Sequence, residues 1–292
     1  MNTRTSLLCV RLATALPLAA CDATQRPETA LTQPPEAAQL PSTLWQLAPV
    51  VALENGVYEG AATVGELRRY GDHGLGTVAR ANGELVVAGG RFYRVDSLGA
   101  ASVAPDTQRV TFAILTWWPR GSTPVVERRL DAGLNFVAPR MPPPPPDSTT
   151  FQRAVDSLFA THNWFYTLRL HGTFSAVKTR SFAEPKQPYP PFCSLVATQD
   201  TFNLSSVTGT MVGFVEPAFV GTMGTANLGA VSIPGYHLHF ITDDGEQGGH
   251  VLSFTTAAGV RLQVAELENF QMRMPRTRDY TAANLTQVDT CP

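Results

Sequence analysis

Apolar residues in this chain come mostly in short blocks or alternate with polar neighbours; they seldom recur at helical spacing. The blocks at 85–87, 110–117, 164–170, 207–215, 237–241, 251–255 and 260–264, many bounded by Gly, Pro or Asp, predict strands. One stretch differs. Phe151, Val155, Leu158 and Phe159 recur at helical spacing and predict a helix from about 148 to 160, capped by Asp147 or Ser148. Its apolar stripe is packing surface. Just upstream, Met141 precedes Pro142, Pro143, Pro144, Pro145 and Pro146. Proline has no N–H to give to a ladder, so this run predicts an extended surface spacer.

Chemistry concentrates in Gly235-Tyr236-His237-Leu238-His239-Phe240, followed by Thr242-Asp243-Asp244-Gly245-Glu246-Gln247-Gly248-Gly249-His250. Side chains in a strand alternate faces, so His237 and His239 share one face at roughly 6 to 7 Å along the backbone. The acidic, glycine-rich segment after them signals a reverse turn. Val251-Leu252-Ser253-Phe254 can then return as the antiparallel partner, which brings His250 beside the first pair. A lone imidazole on a strand is more often a hydrogen-bonded core or surface group; three in phase point to a metal. Three neutral histidines and one open position are the arrangement of a catalytic zinc, whereas structural sites are usually closed by four protein ligands. The cupin pattern, with glutamate three or four residues after the second histidine, fails because Thr242 and Asp243 stand there. Imidazole also suits iron, nickel and copper. The cofactor expected is therefore Zn2+ or another divalent transition metal.

Composition narrows the partners and the compartment. The 292 residues carry a formal net charge of −2 and no basic cluster, which excludes nucleic acid as an expected partner and favours a small molecule. Residues 1–20 carry Arg4, Arg11 and an apolar stretch at 12–20, too short to span a bilayer but suited to a secretory leader. Leu18-Ala19-Ala20-Cys21 resembles the bacterial lipobox, so a lipid on Cys21 anchoring the protein to the membrane is expected; an ordinary leader with an incidental cysteine is the alternative. The expected location is the cell envelope, or secretion. Residues 21–43 are rich in Ala, Gln, Pro, Glu and Thr and read as a flexible tether. The folded unit is expected over 44–292. Export leaves Cys193 and Cys291 either to pair or to stay apart, with Cys193 a buried thiol.

The agreement with one family then extends along most of the chain. Its blocks are Val57-Tyr58-Glu59-Gly60, Thr63-Val64-Gly65-Glu66-Leu67, Gly71-Asp72-His73-Gly74-Leu75-Gly76-Thr77 and Gly83-Glu84-Leu85-Val86-Val87, then FYTLRLHGTFSAVKTR ending at Arg180. Pro188-Tyr189-Pro190-Pro191, VTGTMVGF at 207–214, PGYHLHF and GGHVLSF follow in order. In these the chain resembles the alpha-acetolactate decarboxylases. The resemblance implies an α/β (α+β) fold of two packed lobes, a mixed β-sheet lobe followed by an antiparallel lobe that carries the metal site, dividing near 181–200.

It also implies the reaction: 2-acetolactate loses CO2 to give acetoin. Loss of CO2 leaves an electron pair that the neighbouring ketone accepts as an enediolate, so a Lewis acid suffices and no thiamine or pyridoxal cofactor is required. The metal would sit on His237, His239 and His250. Arg180 matches the family's active-site arginine and would orient the carboxylate or donate a proton. Glu84 would bond a substrate oxygen or shuttle a proton, and Thr77 would place a substrate group or a metal-bound water; alone, these two would read as a turn glutamate and a strand-edge threonine. A homodimer is left open. Three departures from the resemblance stand out: His73 replaces an aromatic, the 219–233 connection is longer, and the sequence stops short of the family's C-terminal glutamate, so that the expectation is either that Asp289 substitutes with a shorter reach or that the role is absent. The competing readings are an inactive lipid-anchored metal-binding or sensory module of the same fold, and, last, a metal hydrolase.

Overall fold

The computed structural model describes residues 42–119, 124–138, 149–221 and 231–286. Along them run β1 (Thr43–Leu47), β2 (Ala62–Thr63), β3 (His73–Val78), β4 (Glu84–Ala88), β5 (Arg91–Val95), β6 (Ala101–Val103) and β7 (Arg109–Thr116). There follow β8 (Val125–Leu130), β9 (Asn135–Val137), β10 (Phe165–Ser181), β11 (Asp200–Glu216), β12 (Gly235–Thr242), β13 (Gly248–Thr256), β14 (Val260–Leu267) and β15 (Asn269–Arg273). The first sheet has the order β15-β1-β7-β3-β4-β5-β6, with β2 also on β7. It is mixed, because β15 lies parallel to β1 while its other pairings are antiparallel. The second, β8-β14-β10-β11-β12-β13-β9, is antiparallel throughout. A mixed and an antiparallel lobe are thus present as expected.

The lobes are not divided at 181–200. That stretch joins β10 to β11 within the second sheet; the chain crosses between sheets after β7, and β15 returns to the first. The proline-rich composition of the stretch marks the connection between the two strands, which carries the short helix Phe192–Ala197.

β10 and β11 span 17 residues each, about twice the apolar blocks at 164–170 and 207–215. Most of 200–208 is exposed, so no hydrophobic alternation announced that half of β11. Gly172 pairs with Gly209 at the point where β10 leaves β14 and goes on to β13, so the long hairpin must bend there. A Cβ on Gly209 would stand 2.4 Å from the Ile241 carbonyl oxygen and 2.6 Å from the Phe240 ring. Beyond the bend β13 pairs with both β12 and the far half of β10, so β10, β11, β12 and β13 close on one another. Inside the curl pack Leu168, Met211, Leu238, Phe240, Phe254 and Leu262.

The helix predicted over 148–160 is shorter, Thr150–Asp156, with Thr149 as the capping residue: its hydroxyl accepts from Gln152 N–H. Phe151 and Val155 are fully buried in the curl. Such burial contributes about 1.5 to 3 kcal/mol per side chain. Phe159 has left the helix and stacks on Tyr166 at 3.9 Å between ring centroids.

Between the sheets lies a second apolar layer with Leu44, Leu75, Val86, Phe112, Ile114, Val212 and Phe214. His73 belongs to it. Its Nε2 bonds the Leu168 carbonyl across the layers at 3.0 Å, and its ring meets Trp118 and Phe214. Burial, reinforced by Arg169, lowers its pKa to about 3, so this histidine fills the aromatic position as a neutral core group. Cys193 is disulfide-bonded. Cys21, Cys291, Asp289, the five prolines, Asp147 and Ser148, the leader and the tether up to residue 41 lie outside the described residues.

Candidate metal centre and active site

His237 and His239 point from β12 into the interlayer, because their opposite numbers on β11, Phe214 and Val212, belong to that layer. His250 stands directly opposite His239 on β13, and Arg180 directly opposite His250 on β10. One rung of the closed sheet therefore presents Arg180, His250 and His239 side by side. The first sheet supplies the other wall: Thr77 on β3 is paired with Glu84 on β4. Phe182 lies two residues beyond Arg180, and Phe192 lies in the short helix Phe192–Ala197 of the loop.

The three imidazoles converge. Their ligand nitrogens all lie within 4.8 Å of one another. His250 Nδ1 is 3.2 Å from His237 Nε2 and 3.3 Å from His239 Nε2. His239 Nδ1 lies 2.8 Å from the Leu85 carbonyl, which can only accept, so that nitrogen carries the proton and Nε2 presents its lone pair inward. Burial, with Arg180 adding to it and neighbouring rings acting on His239 and His250 as well, drives all three pKa values down, that of His237 to about 3. The rings are thus neutral at physiological pH, the form a metal requires. A nitrogen-only, three-imidazole donor set fits zinc or another divalent transition metal.

Beside this cluster sits a buried ion pair. Arg180 Nη1 donates to Glu84 Oε1 at 3.0 Å, with side-chain exposures of 10% and 2%. Thr77 Oγ1 donates to Glu84 Oε2 at 3.4 Å, and the same oxygen lies 3.9 Å from His239 Nε2. Burial pushes the Glu84 carboxyl up to about 7 against the opposing pull of Arg180 and Thr77. Burial lowers Arg180 as well, but guanidinium starts so high that it stays charged. Its plane rests on Phe182, 4.4 Å from the ring centroid, with Phe192 at 5.8 Å. These contacts immobilise a cation while leaving donors free to meet an anion.

All six residues singled out from the sequence therefore gather in one place. The sequence reading missed Leu85, whose contribution is a backbone carbonyl, and the two phenylalanines. A signal for Phe182 was present: it shares strand alternation with Arg180. Thr77 and Glu84 are tied through the β3–β4 turn, where Arg80 and Ala81 hold positive φ of 59° and 48°.

Fold and cluster together define a two-sheet α/β protein with a tri-histidine candidate metal centre and a buried arginine–glutamate pair between its sheets. The chain belongs to the alpha-acetolactate decarboxylase family, whose model matches residues 44–287. The alpha-acetolactate decarboxylase of Bacillus subtilis (strain 168) is 32% identical over 248 residues, covering 85% of this chain and 88% of that protein. That of Methylococcus capsulatus is 33% identical, with 84% of each covered. The crystal structure of the Bacillus subtilis protein superposes with a TM-score of 0.71 at 31% identity, over 83% of this chain and 93% of that one.

Proposed function

We propose that the chain decarboxylates 2-acetolactate to acetoin and CO2. The observation that carries this is the rung on which a buried, aromatic-backed Arg180 faces the histidine cluster, with Glu84 bonded to it. Arg180 engages Glu84 through one nitrogen and has further donors to hold a carboxylate and aim it. Phe182 and Phe192 keep water from the guanidinium and its carboxylate partner.

The carbon–carbon bond breaks, CO2 leaves, and the electron pair passes to the adjacent ketone. One proton must then reach the carbon that lost CO2. Glu84 is poised for that transfer, because a carboxyl near 7 can hold or release a proton at neutral pH. Thr77 fixes the carboxyl by its hydrogen bond. His237, His239 and His250 would hold Zn2+, or another divalent transition metal. When bound, the metal supplies Lewis-acid positive charge for the oxygens of the substrate, where the enediolate's negative charge accumulates.

Acetoin formation from fresh 2-acetolactate by wild type and by His239→Ala, with metal content recorded for both, tests the reading. Wild type should turn over and the variant should lose both metal and activity. A folded, metal-loaded wild type that makes no acetoin would reduce the chain to a non-catalytic binding module. The catalytic unit over 44–292 is further proposed to hang on a 21–43 tether from a lipid on Cys21. Labelled palmitate incorporated into wild type but not into Cys21→Ser checks this.

A further inference from the structure

Glu216 is a buried acid that the reaction above does not use. It is 3% exposed, and no well-aligned hydrogen bond reaches either carboxyl oxygen, the Ser232 hydroxyl being the polar group beside it. Such a group costs stability unless something answers it. Its place is specific. Glu216 ends β11 opposite Gly235, while Phe214, two residues earlier, stands opposite His237. Residues directly opposed share a face, as do alternate residues of a strand. Glu216, Phe214 and His237 consequently face the interlayer, whereas Val215 and Tyr236 between them pack into the curl. Glu216 and His237 are diagonal neighbours, about 7 to 8 Å apart at Cα and within reach of long side chains. Gly235, directly opposite Glu216, brings no side chain into this space, and a Cβ there would meet no atom within 4 Å.

The second observation comes from the histidine. His237 Nδ1 is buried and without a partner, while its Nε2 faces the other two rings. His239 has the Leu85 carbonyl in the equivalent role. A metal-binding histidine commonly donates its remote N–H to a carboxylate, carbonyl or water, which fixes tautomer and ring orientation. An unmatched donor position thus stands one rung from an unmatched acceptor. They make no direct hydrogen bond, and a water set between diagonal neighbours would answer both. Ser232, fully buried with its own hydroxyl unmatched, adjoins Glu216 and offers that water a further partner.

We propose that Glu216 is a positioning residue for His237: a buried water accepts the Nδ1–H of His237 and donates to the Glu216 carboxyl, aiming Nε2 at the metal. This rests on the three histidines being a metal centre. The test compares wild type with Glu216→Met and Glu216→Gln. It reads Zn2+ affinity by chelator competition, melting temperature of the metal-free protein, and the His237 Nδ1–H resonance of the zinc form. Met should weaken Zn2+ binding about 10- to 100-fold, leave metal-free melting unchanged or raised because an orphaned acid is gone, and shift that resonance. Gln keeps an acceptor oxygen and should recover most of the affinity. The proposal is overturned by a Met variant that binds Zn2+ like wild type, by an affinity loss matched by a fall in metal-free melting, or by an unmoved resonance. A wild type that binds no Zn2+ would instead bring down the metal reading itself, and this inference with it.

Discussion

Replacing Arg180 by Met would remove the only charge partner seen for Glu84 among the described residues while keeping an apolar stem of similar length. Glu84 is 1% exposed, and its carboxyl already stands near 7 where 4.5 is usual, because burial outweighs Arg180 and Thr77. At about 1.4 kcal/mol per pH unit, that rise alone costs about 3 kcal/mol of stability above pH 7. The sign follows from proton uptake. Between 4.5 and 7 the folded protein binds a proton that the unfolded chain has released, so stability falls as pH rises through this window and is fully retained below it. Without Arg180 the folded value climbs further and the falling limb extends to higher pH. Removing one partner of a buried pair costs about 3 to 5 kcal/mol, whereas replacing both with apolar groups is often neutral. At pH 8.5 protonation of Glu84 caps that cost, so urea unfolding of metal-free protein at pH 4.5 and pH 8.5 should show Arg180→Met close to wild type in acid and weaker in base by up to about 2 kcal/mol. Arg180→Met/Glu84→Leu should regain most of that loss. Equal losses at both pH values, or a double variant as weak as the single one, would refute the account of Glu84 as an acid kept in place by its cation.

Other consequences follow from the same geometry. Gly209→Ala places a methyl group against the Ile241 carbonyl and the Phe240 ring and should cost about 1 to 3 kcal/mol in denaturant unfolding, with the hairpin bend disturbed. Phe182→Leu removes the ring on which the guanidinium rests; a cation–π contribution of about 0.5 to 2 kcal/mol sets a fall of about two- to thirty-fold in kcat/KM for acetoin formation. Zn2+ at about 100 times its Kd should stabilise the metal-free protein by about 2.7 kcal/mol in calorimetry, and His250→Ala should abolish that gain.

What could be read along the chain was whatever depends on near neighbours. Strand alternation alone puts His237 and His239 on one face, and an eleven-residue step through an acidic, glycine-rich turn returns His250 to them. Thr77 and Glu84 meet across a tight hairpin for the same reason. The polar halves of β10 and β11 were invisible because they rest on strand pairing, with β11 and β13 on the two sides of β10 and with β10 alone for β11, and not on an alternating apolar face. The sheet crossover after β7 and the return of β15 leave no local mark either.

Tertiary structure decided the rest. Arg180 reaches His250, 70 positions away, only because the bent hairpin lets β13 pair with β10 and β12 at once. Glu84 acquires its raised pKa only when the second sheet shuts it from water. Residue type and short-range periodicity are written in the sequence itself. The dielectric around a charge, and the pairing of segments far apart in the chain, exist only once two sheets have excluded solvent between them.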